Sequence, residues 1–171
     1  SPPVLSLLKK ASIFEETAVE LSKPGCTSVI SQLVQMLNTT RDAALQQDII
    51  TTLFNLTFHN DCTALISAEN TIHARLATLL RSPLLCTQTF QLMYHLSSSK
   101  DGCHKLYEAG ITPHLLDLLT HTSSDGEIDE GFVGLLVNVS TLHLCGVCCV
   151  CICSQHNTYF FTDDIITPIV L

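Results

Sequence analysis

Leu53-Phe54-Asn55-Leu56-Thr57, Met93-Tyr94-His95-Leu96-Ser97 and Leu136-Val137-Asn138-Val139-Ser140 share one pattern. An apolar residue is followed by two intervening residues, a second apolar residue, and then Ser or Thr. Leu8-Lys9-Lys10-Ala11-Ser12 has the same shape, so the first members stand at 8, 53, 93 and 136, with spacings of 45, 40 and 43 residues. A second pattern interleaves with it: Leu33-Val34-Gln35-Met36-Leu37, Leu76-Ala77-Thr78-Leu79-Leu80 and Leu115-Leu116-Asp117-Leu118-Leu119, spaced by 43 and 39. Two patterns that keep one period near forty point to stacked repeats, each burying its apolar face against its neighbours.

Helices follow from the same residues. From Asp42 to Phe58, Leu45, Ile49, Thr52, Leu53 and Leu56 fall on one face at helical spacing, with Asp42 as N-terminal cap or first-turn acid. Cys62 to Ala68 reads as a short helix and Ile72 to Leu80 as a second. Pro83 suits the first turn of a long helix running to about Leu96, since a proline N–H has no partner to lose there. Ser99 to Ala109 is short again, Gly110 breaks it, and Pro113 sits early in the helix ending at Leu119. The polar, acidic stretch Thr120 to Glu130, with Gly126, reads as an exposed loop between helices. Each unit is therefore a short, a medium and a long helix.

Composition bounds the function. Hydrophobic residues make up 46% of the 171 residues and charged residues 14%, which calls for a buried core. Leu dominates the apolar set, favouring helices over strands. The formal net charge is −8, from eight Lys and Arg against sixteen Asp and Glu. A nucleic-acid grip needs clustered cations to displace counterions from phosphates, and Lys9-Lys10 is the one adjacent basic pair. An anionic membrane surface fares no better. The opening Ser1-Pro2-Pro3 runs into Val4-Leu5 without a basic leader, so no signal peptide is expected, and the missing initiator Met suggests a fragment. Cys26, Cys62, Cys86 and Cys103 stand alone in helix-like contexts and read as small buried hydrophobes in a reducing, cytosolic setting.

A resemblance now enters. Glu108-Ala109-Gly110-Ile111-Thr112-Pro113-His114-Leu115-Leu116-Asp117-Leu118-Leu119 resembles the armadillo-repeat consensus, in which Gly precedes an apolar-Pro helix ending in a Leu pair. The run from Leu7 to Phe14, Leu53 to Phe58, and Met93 to Ser97 with the following Lys100 to Leu106 resemble, in that order, the kinesin-associated family of non-motor subunits of heterotrimeric kinesin. Ile128-Asp129 followed by Leu136 to Val139 adds a fourth match, and the likeness covers roughly residues 4 to 142. It implies an all-α fold, an incomplete right-handed armadillo superhelix over residues 1–144 with about four repeats, the first and last partial. It further implies a scaffold that binds kinesin motor subunits and cargo adaptors in the cytoplasm, at the cytoskeleton and cilium, with no cofactor. The alternatives are a generic armadillo adaptor of catenin or importin type, and a membrane-anchored protein.

Asn55, His95 and Asn138 hold equivalent places in the long helices. In importin-like and catenin-like armadillo proteins an Asn there binds the backbone of an extended peptide, its amide supplying both donor and acceptor. Those proteins pair it with Trp, and Trp is absent here, so a structural or partner-specific role competes with the peptide ladder. Histidines such as His73, His95 and His114 fit no triad, zinc-protease helix or phosphate loop; they are expected as helix-surface or packing residues, and the chain is not expected to be an enzyme.

The end of the chain stands apart. Cys145 and Cys148 have metal-knuckle spacing, but no second pair accompanies them and Val and Ile fill the neighbourhood, so no metal is expected. From Gly131 to Thr162 there is no Asp, Glu, Lys or Arg, and Phe132 to Cys153 is long enough to span a bilayer. Asn138, Ser140, Thr141, His143 and Gly146 interrupt it, and its start keeps the repeat pattern. Residues 145–171, Cys-rich and then apolar, fall outside the repeats and are expected to be non-native or disordered.

Overall fold

The computed structural model describes residues 3–122 and 130–143, together with two short segments at 159–162 and 165–168. Among these are ten α-helices: α1 (Pro3–Ala11), α2 (Glu15–Ser22), α3 (Ser28–Thr39), α4 (Ala43–Leu56), α5 (Asn60–Ala68), α6 (Ile72–Leu79), α7 (Cys86–Leu96), α8 (Lys100–Glu108), α9 (Ile111–Thr122) and α10 (Glu130–His143). Every regular element among the described residues up to His143 is a helix. Two strands follow, β1 (Tyr159–Thr162) and β2 (Ile165–Pro168), paired antiparallel with Thr162 opposite Ile165. These strands fall within 145–171, the stretch placed outside the repeats, whose other residues lie outside the described ones.

Helix boundaries follow local chemistry. The Asp42 side chain accepts from the N–H groups of Ala44 (2.9 Å) and Leu45 (3.1 Å), satisfying donors that the first turn of α4 leaves free. Ser99 caps α8 by accepting from Gly102 N–H at 3.0 Å. Gly110 ends α8 at φ 76°, where a side chain would be strained, and its N–H reaches Tyr107 O at 2.8 Å. Pro83 departs from expectation. It lies in a turn closed by Leu85 N–H to Ser82 O at 3.0 Å, and α7 begins only at Cys86. Proline suits that turn position, and it disfavours helix at the preceding Ser82, which ends α6 early. The medium helix of this unit is thus 8 residues against 12 in α3 and α9. α9 also runs to Thr122, past the expected end at Leu119, while residues 123–129 of the expected loop lie outside the described residues.

The helices recur in threes. The long helices α1, α4, α7 and α10 pack side by side in that order; α2 packs on α5, and α3 on α6. The core is the sum of these faces: Ile30, Leu33, Val34 and Leu37 of α3; Ile49, Ile50, Leu53 and Leu56 of α4; Leu92, Met93 and Leu96 of α7; Leu135, Leu136 and Val139 of α10. Each fully buried side chain of this kind contributes about 1.5–3 kcal/mol. Close approach is needed at Gly102 in the first turn of α8, where a Cβ would lie 2.1 Å from the Leu96 carbonyl oxygen. Polar side chains also cross from one unit to the next. Arg75 of α6 donates to Leu37 O (2.9 Å) and Thr40 O (3.2 Å), closing the carbonyl end of α3. Lys105 of α8 donates to Ser67 O of α5 at 2.9 Å.

Candidate functional site

Asn55, His95 and Asn138 all sit on long helices and all do the same thing. Asn55 Nδ2 donates to Ser12 Oγ at 3.0 Å, and Asn138 Nδ2 donates to Ser97 Oγ at 2.8 Å. His95 Nδ1 lies 2.9 Å from Thr57 Oγ1. Each acceptor is the Ser or Thr that closes the pattern of the preceding long helix, and each hydroxyl donates onward to its own helix. Ser12 reaches Lys9 O (2.8 Å), Thr57 reaches Phe54 O (2.6 Å) and Ser97 reaches Tyr94 O (2.7 Å). With the Thr57 proton committed to Phe54, His95 Nδ1 is the donor, which fixes the imidazole as the Nδ1–H tautomer when neutral. One polar staple therefore joins each pair of adjacent long helices, worth about 1 kcal/mol net. The hydroxyl partners, Ser12, Thr57 and Ser97, are the residues that sequence reasoning did not assign. Their signal was present, since a hydroxyl residue, Ser or Thr, closes every copy of the repeated pattern.

The His95 junction has an aromatic setting that the two amide junctions lack. Its ring packs edge-on against Phe54 (centroids 4.9 Å) and Phe58 (4.8 Å), with Tyr94 at 6.0 Å. Burial pushes the imidazole pKa down, opposed in part by a hydrogen bond to the Thr57 backbone. His73 is a packing residue on α6, 2% exposed, whose Nε2 is hidden from solvent without a hydrogen-bond partner. Burial lowers its pKa to about 4; nearby Lys105 adds to the shift and Asp101 opposes it. His114 is a surface residue whose Nε2 lies 3.1 Å from Arg81.

A groove of about 390 Å³ opens where the α1–α2 turn meets the end of α4, lined by Ser12, Ile13, Phe14 and Glu15 with Asn55 and Phe58. Ile13, Phe14 and Phe58 are 67%, 58% and 72% exposed. The staple continues into this groove, because Asn55 and Ser12 line it. A second hollow of about 230 Å³ adjoins through Glu15 and is lined by Glu16, Val19 and Glu20.

Among the described residues, no three His, Cys, Asp or Glu side chains gather as a metal-binding group. Cys145 and Cys148 lie outside the described residues. Cys62 and Cys103 are buried as expected, donating to Ala18 O (3.3 Å) and Asn138 O (3.1 Å). Burial raises both thiol pKa values, Cys103 to about 11, so neither is a ready thiolate. Cys26 corrects the expectation: it is exposed, in the turn between α2 and α3. Among the described residues no helix is long and apolar enough to cross a membrane; α10 ends at His143, and the rest of the 132–153 run lies outside them. Compared with protein-family models and with curated proteins, the chain matches no family model and no curated protein.

Proposed function

We propose that this chain is a non-catalytic protein-binding scaffold, an armadillo superhelix whose units hold partner proteins along an extended surface. The observation that carries this reading is the staple between successive long helices, repeated at separations of 43, 38 and 41 residues. A contact that recurs once per unit is what a stacked repeat requires, and stacked repeats present long continuous surfaces. The finer reading takes its partners to be the motor chains of heterotrimeric kinesin, linked to cargo adaptors in the cytoplasm and at the cilium. Its support is the ordered set of motifs that resemble the kinesin-associated family. The test is co-purification of the folded chain with kinesin motor chains. Recovery of motor chains is the expected result; a chain with native helical content that recovers none overturns the kinesin reading.

A second reading is a generic peptide-binding adaptor of catenin or importin type, favoured by Asn55 lining the groove. Its test is an extended basic peptide whose binding is abolished by Asn55→Ala. The engagement of Asn55 Nδ2 with Ser12 weighs against it, because a peptide would have to compete for that donor.

A further inference from the structure

The groove between the α1–α2 turn and the end of α4 combines two properties that rarely meet by accident on one surface. Its walls are apolar and its edge is acidic. Ile13, Phe14 and Phe58 are each more than half exposed and converge on one hollow rather than standing scattered. Phe58 packs its ring against Phe54 (5.3 Å) and His95 (4.8 Å), so it is held in place from behind while it lines the groove. A large side chain fixed in this way loses little freedom when a ligand covers it, which is the property of an anchoring surface.

Carboxylates line one edge of it. Glu15 and Glu16 occupy the first turn of α2, and Glu20 follows one turn later. Lys23 pairs with Glu20 at 2.5 Å and Lys9 pairs with Asp48, whereas no ion pair engages Glu15 or Glu16 among the described residues. Acids in a first turn favour the helix dipole and are ordinarily solvated. Here they also rim an exposed apolar hollow, and Glu15 belongs to both the groove and the adjoining acidic depression. A contiguous exposed apolar surface with a charged border is the form that protein-docking sites take.

We infer that this groove docks a basic amphipathic segment of a partner protein, seating a large apolar side chain between Phe14 and Phe58 while its Lys or Arg residues face Glu15 and Glu16. The complementary charge selects this occupant over an acidic segment or a second copy of the chain, whose net charge is −8. The inference rests on the scaffold reading and adds the chemistry of one partner segment. It differs from an amide ladder, because Asn55 Nδ2 stays committed to Ser12 and the anchoring falls to side chains at the helix end.

The test uses the whole chain and a fluorescent synthetic peptide of about a dozen residues, leucines at helical spacing with lysines between them. Anisotropy is expected to report binding that weakens as salt rises. Phe58→Ser or Phe14→Ser is expected to weaken it by at least about tenfold, and Glu15→Gln with Glu16→Gln by about three- to tenfold. The same peptide with glutamate for lysine, or serine for leucine, is expected not to bind. Leu84→Ser is the control, since Leu84 is 73% exposed and lies outside the groove. Equal binding by the Phe variants, an equal loss with Leu84→Ser, or self-association of the chain that Phe58→Ser abolishes each overturns the inference. A chain that recovers motor chains but ignores the peptide loses this inference and keeps the scaffold reading.

Discussion

Two neighbouring three-helix units, α2–α4 and α5–α7, carry different residues at two matching places. Three residues before the medium-helix pattern the first unit has Ile30 and the second has His73, both buried. At the staple the first has Asn55 and the second His95. The packing is shared, but the second unit places an ionisable ring where the first has a group that never titrates. Two units of one architecture therefore differ in how acid acts on them. The shape of the stack is set by the apolar pattern, and its pH response by substitutions within it.

The largest test asks whether the shared packing is as equal as it looks. Leu53 and Met93 are matching core residues, both fully buried. Leu53→Ala and Met93→Ala are each expected to cost about 2–5 kcal/mol in urea denaturation. A loss confined to one unit would break the match between them.

Acidification comes next. The folded pKa of His73 lies near 4, below its ordinary 6.5. The unfolded chain then binds a proton that the folded chain refuses, so stability is full above pH 6.5 and falls as pH drops toward 4. At about 1.4 kcal/mol per unit, the loss from this residue approaches about 3 kcal/mol. His95 acts in the same direction, its pKa also being lowered by burial. His73→Ile, which gives the second unit the residue of the first, is expected to flatten the pH profile measured by urea denaturation. It should also raise stability at neutral pH by about 1–3 kcal/mol, because it removes a hidden, unpartnered nitrogen.

Smaller effects sharpen the comparison at the staple. Asn55→Ala should cost about 1 kcal/mol, and His95→Ala about 1.5–2.5 kcal/mol because its ring also packs on Phe54 and Phe58. His95→Asn should restore the donor to Thr57 and lose only the ring contacts, about 0.5–1.5 kcal/mol. A cost equal to His95→Ala would mean that the hydrogen bond contributes nothing.

Much of the fold was legible because its signals are local. Period, the Asp42 cap and the Gly110 stop all act within a few residues of where they are written. The staple was harder to read: Asn55 and Asn138 were singled out, but their partners lie 43 and 41 residues back, and nothing local distinguishes an amide that meets a hydroxyl from one that meets a peptide. Pro83 was misplaced by three residues since the same ring fits a helix start and a turn. The groove escaped notice because Ile13 and Phe14 look like core residues in sequence, and only the turn between α1 and α2 turns them outward.

The staple has a consequence for sliding. Apolar ridges of parallel helices slip past one another at little cost, and a slip of one turn, about 5.4 Å, finds another set of grooves. A hydrogen bond does not follow such a slip, since it fails within about an ångström of its proper length. Each Asn or His thus acts as a detent that indexes one long helix to one position on the next. The indexing concentrates in a few atoms what leucines spread over a face, and it gives the stack fixed distances from one unit to the next.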